Sequence, residues 1–318
     1  MGFGGAFTQA SAVNFMALSD SQRREVLEAY FDKEKGIGYN FCRLTINSCD
    51  FSTEMYSYDD TPEDYELKDF SIERDKEDVI PMVLAAKEKA PDLRLFASPW
   101  SPPAWMKTNG KMDKGGFLRK ECQDAWARYT ARYIKAYEEE GIPIWGVTVQ
   151  NEAKAEQGWE SCHYEAGEER DFVTGYLKPV YEREGLGDKK IFFWDHNKER
   201  VVDRSLETLC SDRARAAFDG IAVHWYSGDH FGALDVTHRL FPEKLLIASE
   251  QCKGREEMPW ESGEAYAHDI IGDLNNWVGA WTDWNMLLDE NGGPDHWLDE
   301  QLHWERITAK LSLIHISE

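Results

Sequence analysis

The sequence predicts an α/β fold, a (β/α)8 barrel of the triosephosphate-isomerase type, and three observations indicate it. Short apolar runs rich in β-branched residues alternate with amphipathic helical patterns along the chain, as they do in parallel sheets. Eight such strands and seven crossover helices can be assigned, with no linker among them. Polar or aromatic residues follow nearly every strand, as expected where the carboxyl ends of barrel strands meet at one mouth. At 318 residues the chain has room for one such domain.

The predicted strands are short and rich in β-branched or aromatic residues. They are assigned to Gly2–Thr8, Tyr39–Ile46, Leu93–Ala97, Ile144–Glu152, Lys190–Trp194, Gly220–Val223, Lys244–Glu250 and Val278–Thr282. The fourth and the seventh are distinctive, because each is largely apolar and ends on a glutamate. Buried strands that deliver a carboxylate to the mouth of a barrel are where a pair of catalytic acids is expected.

Helical patterns fill the intervals between the strands. A capping box, Ser19-x-x-Gln22, marks the first helix, and we expect Gly36 to end it. The clearest helix has aromatic residues at steps of three and four from Trp126 to Tyr137. Residues 54–69 form an acidic, tyrosine-rich loop that is too long for a plain connection, so we expect a functional rim there.

The end of the chain departs from a complete barrel. An eighth helix should follow the eighth strand and close the outer ring, but only residues 304–310 remain for it. The last octapeptide, residues 311–318, resembles a translated read-through of a sequencing adapter, with a short native helix as the alternative. We therefore expect a catalytic barrel over residues 1–310, truncated before its eighth helix, and an artefactual tail at 311–318.

The charge of the chain excludes two classes of partner. With 59 acidic and 36 basic residues, the formal net charge is −23, and such a surface repels nucleic acid backbones and anionic lipid headgroups. No apolar run is long enough to span a bilayer, and the first residues lack a signal-peptide pattern. Localisation stays open between the cytoplasm and export with an incomplete amino terminus.

The cysteines and histidines do not indicate a metal or redox centre. The six cysteines are scattered without a CxxC pair, so we expect free and mostly buried thiols, which suit a reducing compartment. His224, His230 and His238 lack the spacing of metal ligands, and no HExxH motif occurs. We therefore expect no metal and no cofactor, while the oligomeric state is left open.

Glu152 and Glu250 are the candidates for a catalytic pair. Only the fold can bring them together, because 250 − 152 = 98 residues separate them. Hydrolysis of a glycosidic bond needs one carboxylic acid to protonate the leaving oxygen and a second carboxylate to attack the anomeric carbon or activate water. A gap of about 5–5.5 Å gives retention of configuration and a gap of about 6.5–9.5 Å gives inversion. The alternative for either glutamate alone is a salt bridge at the barrel mouth.

The sequence resembles glycoside hydrolase family 30, particularly its glucosylceramidase-like members, almost from end to end. Seven blocks in family order carry the resemblance: GFGGAFTQASA from Gly2, SCDFS from Ser48, ASPWSPPAWMKTNG from Ala97, TVQNEA from Thr148, IAVHWY from Ile221, HRLFPEKLLIASEQC from His238, and GAWTDWN from Gly279 with a following GGP. The resemblance implies a retaining double displacement, with Glu152 similar to the family's acid/base and Glu250 similar to its nucleophile.

The resemblance also implies roles for the residues around this pair. The positions that match sugar-binding residues of the family are Asp50, Trp100, Asn151 and Trp284. His224 and Tyr226 match residues that hydrogen-bond the two carboxylates, and Arg43 matches a buried arginine near them. We expect Asp50 to accept from sugar hydroxyls, and Trp100 and Trp284 to offer flat apolar faces to the sugar.

Three features depart from the family pattern. Ala153 replaces the proline that usually follows the acid/base, and Asp295 stands where asparagine is usual, which puts an aglycone contact in doubt. The family builds a companion β-sandwich from both termini, and we expect this domain to be absent here, because the resemblance starts at the first strand and stops after the eighth.

The function we expect is a retaining β-glycosidase that hydrolyses β-glucosidic bonds in a glucoside, glycan or glycolipid. An endo-β-1,6-glucanase or a β-xylosidase on the same scaffold is the alternative within the class. Outside it, the alternatives are a non-catalytic sugar-binding barrel or inactive fragment, and a metal-dependent barrel hydrolase, which the lack of a ligand cluster disfavours.

Overall fold

Eight parallel strands form a closed barrel, as the sequence predicts. The computed structural model describes residues 2–253 and 259–296. Each strand pairs with its neighbours in sequence, and the last pairs with the first. The strands are β1 Phe3–Phe7, β2 Phe41–Ile46, β3 Arg94–Pro99, β4 Ile144–Thr148, β5 Lys190–Asn197, β6 Gly220–His224, β7 Leu245–Glu250 and β8 Val278–Asn285.

Helices surround the barrel. They are α1 Gln9–Ala17, α2 Asp20–Phe31, α3 Val79–Lys89, α4 Gln123–Glu139, α5 Ala166–Phe172, α6 Lys178–Arg183, α7 Val201–Thr208, α8 Asp212–Ala217, α9 Phe231–Leu240 and α10 Pro259–Asn275. A π-helical turn at Val173–Leu177 joins α5 to α6. Of the seven helices predicted from the sequence, the one expected over residues 172–181 is divided into α5 and α6. The short helices α1 and α8 were not predicted.

The predicted capping box of α2 is present. The side chain of Ser19 accepts from the backbone N–H of Gln22, and the Gln22 side chain accepts from the N–H of Ser19. The expected end at Gly36 is wrong, since the helix ends at Phe31. The carboxylate of Asp32 accepts from the N–H groups of the two residues that open the next turn, at 2.9 and 3.0 Å, which favours a turn over further helix.

Side chains inside the barrel form two layers of different character. The lower layer is apolar and consists of Phe41, Phe96, Phe192, Ala222, Ile247 and Ala280, packed against Trp145. Two residues further along four of the same strands stand the buried polar residues Arg43, Ser98, His224 and Ser249. Because side chains two residues apart lie on the same face of a strand, the interior changes from apolar to polar towards the carboxyl ends.

The loop at residues 54–69 is anchored to the barrel by tyrosines. Tyr58 stacks on Tyr129 and Tyr133 of α4, with ring centroids 6.2 and 5.8 Å apart. Its hydroxyl donates to the buried carboxylate of Asp75 at 2.6 Å, and Tyr137 donates to the same oxygen. The acidic loop is therefore fixed beside the mouth by buried hydrogen bonds.

Other predictions have mixed outcomes. The cysteines are free, and Cys42, Cys49, Cys122 and Cys162 are buried, as expected. None of the helices in residues 2–253 and 259–296 has the length and apolar character that a bilayer crossing demands. The expected helical segment at 304–310 and the tail at 311–318 lie outside the described residues.

Candidate active site

Glu250 lies at the end of β7, where the sequence places it. Its side chain is largely buried, and each carboxylate oxygen accepts one hydrogen bond. Oε2 accepts from Arg43 Nη1 at 2.7 Å, and Oε1 accepts from the hydroxyl of Tyr226 at 2.9 Å. Two directed donors therefore fix the orientation of this carboxylate.

Glu152 lies in a turn and not at the end of a strand, which corrects the predicted boundary. Strand β4 ends at Thr148, and Glu152 has a φ of +47°, in the left-handed region that L-residues seldom adopt. Its N–H donates to the carbonyl of Asp195 at 2.8 Å, and the N–H of Asn151 donates to the carbonyl of Pro99 at 2.8 Å. Hydrogen bonds to β3 and β5 thus hold the turn that carries Glu152.

Arg43 connects the residues of the site. It is fully buried on β2, and its guanidinium donates to Ser98 Oγ at 3.0 Å, to Asn151 Oδ1 at 2.9 Å and to Asp195 Oδ2 at 2.7 Å, besides Glu250. A buried guanidinium needs such compensation, because an unpaired buried charge is strongly unfavourable. Arg43 therefore fixes Glu250 and the amide next to Glu152 in one frame.

Asp195 is a site residue that the sequence analysis missed. It is fully buried, and its two oxygens accept from Arg43, Thr148, Ser249 and His224 at 2.5–3.0 Å. Burial raises the pKa of Asp195, but Arg43 and then His224 and Ser249 lower it further, so the group stays ionised. The available signal was its place directly after the predicted fifth strand, the position that singled out Glu152 and Glu250.

His224 lies between Asp195 and Glu152. Its Nε2 is 3.0 Å from Asp195 Oδ1, and its Nδ1 is 3.6 Å from Glu152 Oε1, too long for a hydrogen bond. Burial lowers the pKa of His224, but the charge of Glu250 and the contacts with Asp195 and Glu152 outweigh it and raise the pKa to about 9. His224 is therefore protonated at neutral pH.

The two glutamates experience opposite pKa shifts. Burial raises the pKa of Glu250, and His224, Arg43 and Tyr226 offset this only in part. Burial also raises the pKa of Glu152, but His224 and His196 outweigh it, so the net shift is downward. His196 was not predicted; its Nδ1 lies 3.8 Å from Glu152 Oε1, and burial lowers its own pKa.

Two of the predicted sugar-binding residues, Trp100 and Trp284, lie beside Arg43. Trp100 and Trp284 are almost fully buried and stack on each other with centroids 5.0 Å apart, while Arg43 lies 4.6 Å from the centre of the Trp100 ring. One face of each ring is therefore covered by the other ring, and the expectation that these tryptophans offer flat faces to a sugar stays a prediction.

Asp50 follows β2 and is held in an acidic setting. Its Oδ1 is buried and makes no hydrogen bond to the described residues. Burial, and then the charges of Glu250, Glu160 and Glu152, raise the pKa of Asp50 well above its ordinary value. An acceptor without a donor is costly in such a place, so Asp50 is suited to receive a ligand hydroxyl.

The loop after β8 is tied to this acidic region by His296. Its Nδ1 lies 3.1 Å from the carbonyl of Ser52, and its Nε2 lies 3.3 Å from Glu160 Oε2. Glu160 is buried and also accepts from the Ser48 hydroxyl. In this loop the sequence put an aglycone contact at Asp295 in doubt, but it did not single out the neighbouring His296 or Glu160.

A closed parallel barrel with two carboxylates at its mouth, one of them bound by an arginine and a tyrosine, contains the two kinds of acidic group that glycosidic hydrolysis uses. Comparison with known proteins points to the same class. The chain belongs to glycosyl hydrolase family 30, since the model of that family's TIM-barrel domain matches residues 1–307.

Individual relatives agree with the family assignment. The lysosomal acid glucosylceramidase of Mus musculus is 37% identical over 315 residues, which cover 92% of this chain and 61% of the relative. The crystal structure of SrfJ from Salmonella typhimurium superposes with a TM-score of 0.91 at 36% identity and covers 97% of this chain and 68% of that one. The endo-β1,6-glucanase BT3312 superposes with a TM-score of 0.87 at 28% identity, covering 97% and 70%. The chain spans about three fifths of the length of the curated relatives it matches.

Proposed function

We propose that residues 1–310 are the catalytic barrel of a retaining β-glycosidase that hydrolyses β-glucosidic bonds, with Glu250 as nucleophile and Glu152 as acid/base. One observation carries the proposal: Glu250 is held by Arg43 and Tyr226, while Glu152 lies beside His224, whose Nδ1 is 3.6 Å from Glu152 Oε1. The family assignment and the glucosylceramidase relatives support the substrate class.

Glu250 suits the nucleophile because its two donors fix it and favour its charged form. A carboxylate that attacks the anomeric carbon must be ionised and oriented. Burial works against ionisation, and the positive charge of Arg43 with the hydroxyl of Tyr226 opposes that effect. Attack forms a glycosyl-enzyme ester, and water then hydrolyses the ester with Glu152 as the general base.

Glu152 suits the acid because a proton is available beside it. The downward pKa shift of Glu152 in the free protein comes from protonated His224, whose Nδ1 is 3.6 Å from Glu152 Oε1. Transfer of this proton to Glu152 leaves His224 neutral, with Nε2–H still bonded to Asp195. His224 and Glu152 together therefore hold the proton that the leaving oxygen needs.

The remaining polar groups suit a sugar next to Glu250. Asp50 offers a buried carboxylate oxygen without a donor, which a sugar hydroxyl would satisfy. Asn151 uses its Oδ1 to accept from Arg43, so its NH2 group is the end that can donate to a sugar hydroxyl. Such hydrogen bonds strengthen as the transition state forms.

An endo-β-1,6-glucanase is the second candidate, because relatives described by that name match most of the chain. BT3312 superposes over 97% of it, and the endo-1,6-beta-D-glucanase of Neurospora crassa is 28% identical over 303 residues. The catalytic residues would be the same in both cases, and the loops around the mouth would select the leaving group.

The test is turnover of a substrate panel by the 318-residue chain, with Glu250→Gln as the inactive control. The panel contains aryl β-glucosides, aryl β-xylosides, glucosylceramide and β-1,6-glucan. We expect turnover of the aryl β-glucoside. Hydrolysis of glucosylceramide would favour the glucosylceramidase-like activity, and hydrolysis of β-1,6-glucan would favour the endo-β-1,6-glucanase. A folded chain that turns over none of them, or whose activity survives in Glu250→Gln, would overturn the proposal.

A further inference from the structure

We propose that Glu152, His196 and His224 form a binding site for a transition-metal ion such as Zn²⁺, and that an ion bound there reversibly inhibits the enzyme. The inhibition rests on the function proposed above, whereas the binding itself does not. No metal was expected from the sequence, because the spacing of His224, His230 and His238 is wrong for a metal site.

The three side chains converge on a space of the right size. Glu152 Oε1 lies 3.8 Å from His196 Nδ1 and 3.6 Å from His224 Nδ1, and one ligand atom of each residue lies within 4.8 Å of the others. With two of the three separations at 3.8 and 3.6 Å and the third at most 4.8 Å, the point equidistant from the three ligand atoms lies about 2.0–2.4 Å from each of them. Zinc binds histidine nitrogen and carboxylate oxygen at about 2.0–2.2 Å, so only small side-chain shifts are needed.

The two histidines present unused nitrogens. Nδ1 of His196 and Nδ1 of His224 are buried and make no hydrogen bond to the described residues. Buried polar atoms without partners are costly and rare. Both atoms point to the same carboxylate, so a single ion would satisfy them together.

The orientation of His224 is already that of a metal ligand. Asp195 Oδ1 lies 3.0 Å from its Nε2, which places a hydrogen on Nε2 and turns Nδ1 towards Glu152, so an ion that binds Nδ1 displaces the proton that this nitrogen holds in the free protein. Metal-binding histidines usually donate their second nitrogen to a carboxylate in this way. Asp195 is itself fixed by Arg43, so the ligand geometry is prepared before an ion arrives.

The ligand set predicts which ions bind. Two imidazoles and one carboxylate, with one position open to the mouth, are the ligands of several zinc sites, and imidazole favours Zn²⁺, Cu²⁺ and Ni²⁺ over Mg²⁺ and Ca²⁺. The side chains of Glu152 and His196 are 14% and 15% exposed, so an ion has access from the mouth. Bound to Oε1, it would take the place of the proton that Glu152 must give to the leaving oxygen.

The experiment measures binding and inhibition separately. The chain is freed of metal with a chelator and titrated with Co²⁺, whose visible absorption reports a site with nitrogen ligands, and Zn²⁺ is then added to displace it. In parallel, Zn²⁺ and Mg²⁺ are titrated into an aryl β-glucoside assay. We expect one Co²⁺ per chain, displacement by Zn²⁺, inhibition by Zn²⁺ that a chelator reverses, and no inhibition by Mg²⁺.

The variants are His196→Asn and a matched control, His163→Asn. His163 forms a histidine–carboxylate contact with Glu165 at 3.3 Å on another loop. Replacing His163 therefore shows how much of the metal binding is adventitious binding at surface histidines. We expect His196→Asn to weaken the binding of Co²⁺ and Zn²⁺ at least about tenfold and to weaken inhibition by Zn²⁺. We expect His163→Asn to change neither the binding nor the inhibition. Inhibition is expressed relative to the uninhibited rate of each variant.

Defined outcomes separate the two proposals. Failure of the unaltered chain to bind one Co²⁺, or equal weakening by both substitutions, would overturn the metal site. A chain that binds one ion through His196 but turns over no glycoside would support the site and contradict the glycosidase. If His196→Asn fails to fold, His196→Gln and the titration of the unaltered chain still decide the question.

Discussion

Removing the Tyr226 hydroxyl is the substitution that isolates one contact of the proposed nucleophile. In Tyr226→Phe the ring remains, and only the hydrogen bond to Glu250 Oε1 at 2.9 Å and the contact with Cys252 Sγ at 3.1 Å are lost. The residue is 42% exposed, so we expect the free energy of unfolding to fall by less than about 1 kcal/mol. The effect should therefore fall on catalysis.

The magnitude follows from the charge of the acceptor. A hydrogen bond to a charged group contributes about 1.5–3 kcal/mol, and each 1.36 kcal/mol changes a rate tenfold. If the hydrogen bond from Tyr226 stabilises the ionised and oriented carboxylate of Glu250, kcat/KM of Tyr226→Phe should fall about 10- to 150-fold. Because Tyr226 lowers the pKa of Glu250, its loss should also move the acidic limb of the kcat/KM profile to higher pH.

The assay is steady-state hydrolysis of an aryl β-glucoside across a range of pH, with Tyr181→Phe as the control. Tyr181 donates to Thr130 Oγ1 at 3.2 Å behind the barrel wall, so the same atom is removed where no catalytic role is proposed. A loss of less than threefold in Tyr226→Phe, or an equal loss in Tyr181→Phe, would refute the assigned contact.

Two further predictions concern the acid and the buried aspartate. Glu152→Gln should slow glucosides with poor leaving groups far more than activated aryl glucosides, because only poor leaving groups need a proton; equal losses across a leaving-group series would count against the acid/base role. Asp195→Asn leaves Arg43 without one of its two carboxylate partners, and breaking a buried ion pair costs about 3–5 kcal/mol. We therefore expect a clear fall in melting temperature by calorimetry, with Asp92→Asn, an exposed partner of Lys33, as an unaffected control.

The sequence was sufficient for the barrel and for one glutamate because both depend on local pattern. Strand β7 is a continuous apolar run, and Glu250 ends it as predicted. The alternation of strands and helices indicated eight parallel strands, and the closed barrel confirms it. The spacing of apolar residues along a segment depends only on residues close in sequence, so strands and helices can be predicted from it without knowing the fold.

The parts that could not be predicted depend on distant contacts. Trp194 and Asp195 adopt φ values of +75° and +46°, and the register of β5 shifts there. This irregularity turns Asp195 towards Arg43 on β2, across 195 − 43 = 152 residues of sequence, and brings His196 to Glu152. No local pattern favours such a conformation over a plain strand end.

The packing of the tryptophans could not be predicted for a related reason. The sequence indicated large aromatic residues at strand ends but not the packing of their faces. Trp100 and Trp284 come from β3 and β8, and they stack on each other beside Arg43. The stacking of the two rings therefore depends on residues from distant parts of the chain, and their contact with a sugar stays a prediction.

The assignment of Glu250 as the nucleophile of a retaining enzyme is tested most directly by the azide product of Glu250→Ala. In this variant azide can enter the space of the missing carboxylate and attack an activated aryl β-glucoside from the face that Glu250 would use. We predict that azide restores turnover and that NMR identifies the product as the α-glucosyl azide. Absence of rescue in a folded variant, or a β-glucosyl azide, would contradict the assignment.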